Sequence, residues 1–203
     1  MPNNITSFDI GESQVKVVTL SGGSVKKAVA LELPDNVVSG GTVLSMDALA
    51  DFLKEKLRAS GPIKKDAAVI LPDSLVFCRK ITVPPMTDAQ LNYNLPFEFK
   101  DYLNQEKSRY YFDYAVQGTE KDESGEMTGL RLFACATLKK TIEDYRAMFY
   151  RAGYKLKLAL PEEAAFGNLA ALHAKNAPGD EDLCIVDIGH KGIRMFIYRD
   201  GHF

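Results

Sequence analysis

Two acidic turns, one near each end of the chain, carry the residue types best suited to chemistry. The first reads Phe8-Asp9-Ile10-Gly11-Glu12-Ser13-Gln14-Val15-Lys16-Val17-Val18. The second reads Val186-Asp187-Ile188-Gly189-His190-Lys191-Gly192-Ile193-Arg194-Met195-Phe196. Each is an apolar strand, then Asp-Ile-Gly, then three residues, then an apolar–basic–apolar strand start. One offset holds throughout without a gap. Asp9 aligns with Asp187, Gly11 with Gly189, Val15 with Ile193, Lys16 with Arg194, and further on Gly23 with Gly201. A repeat implies a duplicated structural unit. Glycine lets a turn approach phosphate closely and aim amide hydrogens at it, and a carboxylate can hold hydrated Mg²⁺. Two such turns facing across a cleft would make a phosphate and Mg²⁺ site. Asp9, Gly11, Glu12 and Ser13 would come from the first turn, and Asp187, Gly189, His190 and Lys191 from the second. The second copy stops after about one hairpin. The expectation is therefore one lobe, plus the opening of another, of a longer two-lobed protein.

Other chemistry finds less support. Cys78, Cys135 and Cys184 each sit in an apolar, strand-like run at spacings that fit no zinc pattern. They read as buried reduced thiols behaving as small hydrophobes. His173, His190 and His202 form no ligand cluster, and no Ser/His/Asp or Cys/His arrangement stands out. Glu162-Glu163 resembles a carboxylate pair, but both follow Pro161 in the first turn of a helix, where the dipole explains them. Tyr110, Phe112 and Tyr114 share one face of a strand, with Tyr111 opposite, and read as half core and half surface. The aromatics Tyr93, Phe97, Phe99 and Tyr102 around Pro96 read mainly as core.

With 25 basic and 27 acidic residues the net charge is −2, which gives no electrostatic footprint for nucleic acid. A content of 46% hydrophobic and 26% charged residues excludes a disordered chain, a collagen and a disulfide miniprotein. No apolar stretch approaches the ~20 residues of a membrane span, and the first residues lack signal-peptide features. A cytoplasmic location is expected.

The elements that must position the turns follow from periodicity. Residues 5–33 predict three strands, with a hairpin at Gly22-Gly23. A loop covers 34–41. Ser45 caps a helix with Met46, Leu49, Leu53 and Leu57 on one face, and Gly61-Pro62 stops it. A short strand over 67–71 follows. Residues 76–160 then read as strand, helix, strand, strand, helix, strand, the βαββαβ order of a two-layer unit. Within it Thr87 caps a helix to about 103 that Pro96 interrupts, 120–128 is a polar turn, and Gly153 ends the helix over 139–152. A helix over 162–175, a turn-rich linker over 176–182 with Pro178-Gly179, and a last hairpin complete the chain.

Taken together, these residues resemble the actin-like, ribonuclease H-like fold shared with sugar kinases and Hsp70-type proteins. Within it the sequence resembles the PilM family of type IV pilus assembly proteins and the related cell-division protein FtsA. The resemblance rests on the opening segment from Phe8 to Val18, Leu71-Pro72 with Arg79-Lys80-Ile81, and Val83-Pro84-Pro85-Met86-Thr87 before Leu91, Glu98 and Tyr102. It continues through Phe112-Asp113-Tyr114-Ala115-Val116, Ala134-Cys135-Ala136-Thr137-Leu138-Lys139, Ala152-Gly153-Tyr154 and Val186-Asp187-Ile188-Gly189. It implies an α/β core subdomain, called 1A, from 1–75 and 161–180. An inserted βαββαβ subdomain, called 1C, would occupy 76–160, and 181–203 would open a truncated second lobe.

The resemblance further implies a scaffold at the inner face of the cell membrane, held there through partners. It would dock the N-terminal peptide of a PilN-like membrane protein in a groove between 1A and 1C. Other inner-membrane pilus assembly proteins would be partners too, and FtsA-like self-association is an alternative. ATP with Mg²⁺ would sit between the lobes of the full-length protein, but these 203 residues alone are not expected to bind it. Two departures bear on that site. Such proteins usually carry a small or hydroxyl residue where Glu12 stands, and Thr or Ser after the glycine where His190 stands. An actin-like ATPase or small-molecule kinase is the enzymatic alternative, for which no catalytic Asp stands out.

Overall fold

The computed structural model describes residues 4–59, 64–176, 182–190, 192–199 and 202–203. The chain divides into a larger unit, Met1–Pro72 with Glu143–Phe203, and a smaller unit, Asp73–Ile142.

The larger unit begins with three strands, β1 (Asn4–Ile10), β2 (Gln14–Ser21) and β3 (Ser24–Glu32), joined as an antiparallel meander. Gly22 and Gly23, both at positive φ, make the tight turn between β2 and β3 that the pair was expected to make. Where a plain loop was expected, a two-residue hairpin appears. Its strands β4 (Val38–Ser39) and β5 (Thr42–Val43) turn on Gly40 and Gly41, again both at positive φ. Helix α1 (Met46–Ala59) is capped by the Ser45 hydroxyl, which accepts from the Ala48 amide at 3.2 Å. Its buried stripe is Leu49, Ala50, Leu53 and Leu57. Strand β6 (Asp66–Leu71) lies parallel to β1. Its run Ala67-Ala68-Val69 is continuously buried, as an interior parallel strand requires. The core gathers on Phe8, whose ring meets Phe149 at 4.8 Å and Tyr154 at 5.2 Å.

The smaller unit holds β7 (Phe77–Val83), helix α2 (Asp88–Glu98), β8 (Tyr110–Lys121) and β9 (Met127–Leu138), with sheet order β7-β9-β8. Leu91, Leu95 and Phe99 pack on Ile81, Val83, Tyr110, Leu132, Ala134 and Ala136 of the sheet. Thr87 and Gln90 form a reciprocal capping box at the start of α2. Pro96 lies inside the helix, which ends at Glu98 and not near 103. Beyond it the Tyr102 and Leu103 amides both turn back onto the Phe99 carbonyl. The polar turn between β8 and β9 is held by Asp122 Oδ1, which accepts from the Ser124 and Glu126 amides and the Ser124 hydroxyl.

Helix α3 (Lys139–Arg151) carries the chain back into the larger unit. It ends in a Schellman turn: Gly153 sits at φ +88° and its amide donates to Tyr150, while the Tyr154 amide donates to Phe149. Strand β10 (Lys155–Pro161) then pairs parallel with β6, giving the five-stranded order β10-β6-β1-β2-β3. This revises the expected 76–160 insert. The chain order βαββαβ is present, but its last strand joins the larger sheet, where β6 offers a free parallel edge. The separate unit is the β-α-β-β segment within Asp73–Ile142.

Helix α4 (Glu162–Asn176) and the hairpin of β11 (Asp182–Ile188) and β12 (Ile193–Arg199) complete the larger unit. The hairpin is a two-stranded sheet of its own. Phe196, Tyr198 and Ala170 are its buried cluster, with Phe166, Leu183, Ile185 and Phe203 packed around them. Gly61-Pro62, Pro178-Gly179, Lys191 and Gly201 lie outside the described residues.

Candidate functional site

Each acidic turn closes a hairpin, and the two closures are the same. The Gly11 amide donates to the Gln14 carbonyl at 2.9 Å, and the Gly189 amide donates to the Gly192 carbonyl at 2.9 Å. Asp9 stands opposite Lys16 in its ladder, and Asp187 stands opposite Arg194. A Cβ on Gly11 would lie 3.1 Å from the Gln14 carbonyl oxygen, and one on Gly189 would lie 3.3 Å from that of Gly192. A side chain at either position would crowd the facing backbone carbonyl, so the closure of each turn favours glycine. The repeat seen in the sequence is a repeat in structure, carried on two different sheets.

The surroundings of the two turns differ. At the first, Asp9 and Lys16 form an exposed ion pair at 3.2 Å. Glu12 Oε1 accepts from the Gly41 amide at 3.3 Å, which ties its carboxylate to the β4–β5 turn. That contact explains how an acidic residue is accommodated where a small one was expected. The Ser13 carbonyl accepts from the Leu33 amide at 2.8 Å, fixing the turn to the end of β3, while its side chain faces solvent. At the second turn Gly189 and His190 are exposed and Lys191 lies outside the described residues.

Asp187 is held differently from Asp9. Arg194 donates to Asp187 Oδ2 at 2.5 Å and to both Glu162 oxygens at 2.5 and 2.6 Å. Glu162 is buried at the first residue of α4. Burial works against the Arg194 charge. Its bonds to Asp187 and Glu162, and their charges, outweigh that and hold the guanidinium above the ordinary arginine value. The adjacent Glu163 contributes its backbone: the Tyr198 hydroxyl donates to the Glu163 carbonyl at 2.8 Å. The two glutamates therefore do more than complement a helix dipole. Glu162 is an ionic anchor and Glu163 a backbone anchor between α4 and the hairpin. Sequence reasoning matched Lys16 with Arg194 but missed Glu162 as the third member.

This arrangement bears on a phosphate and Mg²⁺ site. Asp9 is half-exposed, and its Oδ2 accepts from the Lys16 ammonium at 3.2 Å. Asp187 shares one guanidinium with the buried Glu162 carboxylate, and its Oδ2 is engaged by Arg194, which makes it part of an electrostatic brace. The Gly11 and Gly189 amides are both spent on closing their own turns. Among the described residues no group of three or more His, Cys, Asp or Glu side chains is gathered as a metal site. Nor is any helix among them long and apolar enough to cross a membrane.

A search of curated proteins returns no match. Among solved structures, the chain is similar to one in a PilM–PilN type IV pilus biogenesis complex, with a TM-score of 0.81 and 22% identity. That match covers 98% of this chain and 59% of the other, so the present chain spans less than two thirds of that relative's length. The cytoplasmic domain of EpsL, an inner-membrane component of the Vibrio cholerae type II secretion system, matches at a TM-score of 0.58 and 13% identity over 97% of this chain and 71% of that one. A Bacteroides thetaiotaomicron protein with an actin-like ATPase fold and unknown function matches at 0.50 and 10% identity, over 98% and 67%. These likenesses establish the actin-like α/β fold. The family model for type IV pilus assembly protein PilM matches residues 7–203, nearly the whole sequence. The chain belongs to the PilM family of type IV pilus assembly proteins.

Proposed function

We propose that this chain is part of a PilM-like scaffold that docks the N-terminal cytoplasmic peptide of a PilN-like inner-membrane protein. The observation that carries the reading is the family match over residues 7–203. The solved chain it most usefully compares with was determined in complex with PilN, which supports the choice of partner. In this reading the scaffold sits at the inner face of the membrane through that contact, alongside other assembly proteins. The larger unit, apart from its terminal β11–β12 hairpin, serves as subdomain 1A and the smaller as subdomain 1C.

The β11–β12 hairpin is read as the opening of a second lobe. Its exposure supports this. Positions that the repeat aligns have opposite surroundings: Phe8, Val15 and Val17 are buried, while their counterparts Val186, Ile193 and Met195 are exposed. Cys184 and Ile197, the counterparts of buried Thr6 and Thr19, face the same way. The first hairpin shows what such a face is built to do, namely to pack against a further layer. ATP with Mg²⁺ would bind between the lobes of a longer protein, with the Asp9 turn as one wall. The Arg194–Glu162 brace would position the other wall.

The test is capture of a labelled PilN-like N-terminal peptide by this chain, read by fluorescence anisotropy against a scrambled peptide. Saturable binding of the native order alone is expected. No binding, under conditions where an established PilM and PilN pair binds, would remove the docking role.

A further inference from the structure

The three cysteines read in the sequence as separate small hydrophobes, but two of them meet. Cys78 on β7 stands directly opposite Cys135 on β9 in the antiparallel ladder. The flanking pairs Ile81 with Leu132 and Val83 with Leu130 belong to the face that α2 covers. By strand alternation the two cysteines project from the other face, together with Lys80, Thr82, Arg131 and Thr137. Their sulfur atoms lie 3.3 Å apart, and both residues are reduced and partly exposed. Directly opposed residues in such ladders have Cα atoms about 4.5 or 5.5 Å apart, both inside the range a disulfide spans. A bond of about 2.05 Å therefore needs the sulfurs to close by little more than an ångström, which side-chain rotation supplies.

We propose that Cys78 and Cys135 form a cross-strand thiol–disulfide site in the smaller unit, oxidised by low-molecular-weight disulfides. One protein thiolate attacks a sulfur of the small disulfide. The S–S bond of the small molecule breaks, and one of its halves leaves as thiolate. The second protein thiolate then attacks the protein-side sulfur of the mixed disulfide and expels the other half. Two electrons pass from the protein dithiol to the small molecule, and its two thiolates take up the two protons. The second step is fast because its nucleophile is already in contact. Closure ties the edge strand β7 to the central strand β9 across the segment that contains α2 and β8. Cys184 stands opposite Ile197, so its reaction with the same oxidant stops at the mixed disulfide.

The experiment uses the full chain carrying Cys184→Ser, a change at an exposed position. It is equilibrated over a series of oxidised-to-reduced glutathione ratios at low protein concentration, then alkylated and mapped by mass spectrometry. The expected result is joint disappearance of both alkylatable thiols, a peptide linking Cys78 to Cys135, and no retained glutathione, all reversed by dithiothreitol. Adding Cys78→Ser or Cys135→Ser should leave the surviving thiol carrying glutathione. If both thiols stay alkylatable at the most oxidising ratio, the proposal is wrong. It is equally wrong if the unaltered pair ends as stable mixed disulfides or as links between chains. The primary readout needs no substitution in the pair, so it does not depend on the serine variants folding.

Discussion

The β1–β2 and β11–β12 hairpins share register, turn closure and an aspartate facing a basic residue, yet they solve different problems. The first is built into a five-stranded sheet and buries its repeat-aligned apolar face. The second stands as a pair of strands, presents that face outward and is fastened by its opposite side to α4. The short Asp-Ile-Gly motif thus dictates the bend, while neighbouring elements decide what its carboxylate does. Beside an exposed lysine, Asp9 keeps its freedom. Beside an arginine shared with a buried glutamate, Asp187 becomes part of a brace.

Matched substitutions break or sharpen this comparison. The largest difference is expected at the aligned pair Phe8 and Val186, 0% and 50% exposed. Phe8→Ala should cost about 3–5 kcal/mol in urea unfolding, since it opens a cavity beside Phe149 and Tyr154. Val186→Ala should cost less than about 1 kcal/mol at a surface position. Equal costs would mean that the second face is packed after all. The basic partners come next. Arg194→Met removes the cation shared by Asp187 and the buried Glu162 and should cost about 2–3 kcal/mol, a figure reduced for the arginine's partial exposure. Lys16→Met should stay within about 0.5 kcal/mol, because the Asp9 pair is solvated.

Glycine replacement discriminates more finely. Gly11→Ala should cost about 1–2 kcal/mol because its Cβ meets a backbone oxygen at 3.1 Å. Gly189→Ala, with 3.3 Å, should cost less in the same assay. The smallest expected effect is with pH. Tyr154, packed on Phe8, and Tyr198, on the second hairpin, are both pushed up to about 12 by burial, with the Glu163 charge adding at Tyr198. A raised folded value means that the native state holds its proton more tightly than the unfolded chain. Stability is therefore complete below pH 10 and falls as pH rises from 10 through 12, by about 1 kcal/mol for each tyrosine after allowing for solvent. Thermal melts across that range should show the decline. Tyr154→Phe and Tyr198→Phe should each remove a similar part of it, and a decline untouched by Tyr198→Phe would show that the second hairpin does not enclose its tyrosine.

Local signals were legible where a single residue controls local geometry. Gly22-Gly23, Ser45, Thr87 and Gly153 each mark the boundary that their chemistry implies, and the repeat located both turns of the candidate site. What escaped was pairing across distance. Nothing in the run Lys155–Pro161 says which sheet has a vacant edge, so periodicity alone groups β10 with the smaller unit. Glu162 and Glu163 are equivalent as letters. Only the helix phase turns the Glu162 carboxylate toward Arg194, while the Glu163 carbonyl accepts from the Tyr198 hydroxyl. Cys78 and Cys135 looked like isolated thiols because strand register brings them together, and register is a property of the folded sheet.

The strands β6 and β10 lie side by side and parallel, yet the whole smaller unit is strung between them. A parallel neighbour always demands a long return path, and here that path has been enlarged into a folded module of its own. Such a connection is modular: the scaffold sheet asks only that the chain come back through α3 in the right direction. A different module, grafted between Pro72 and the start of that helix, would leave the five-strand order undisturbed.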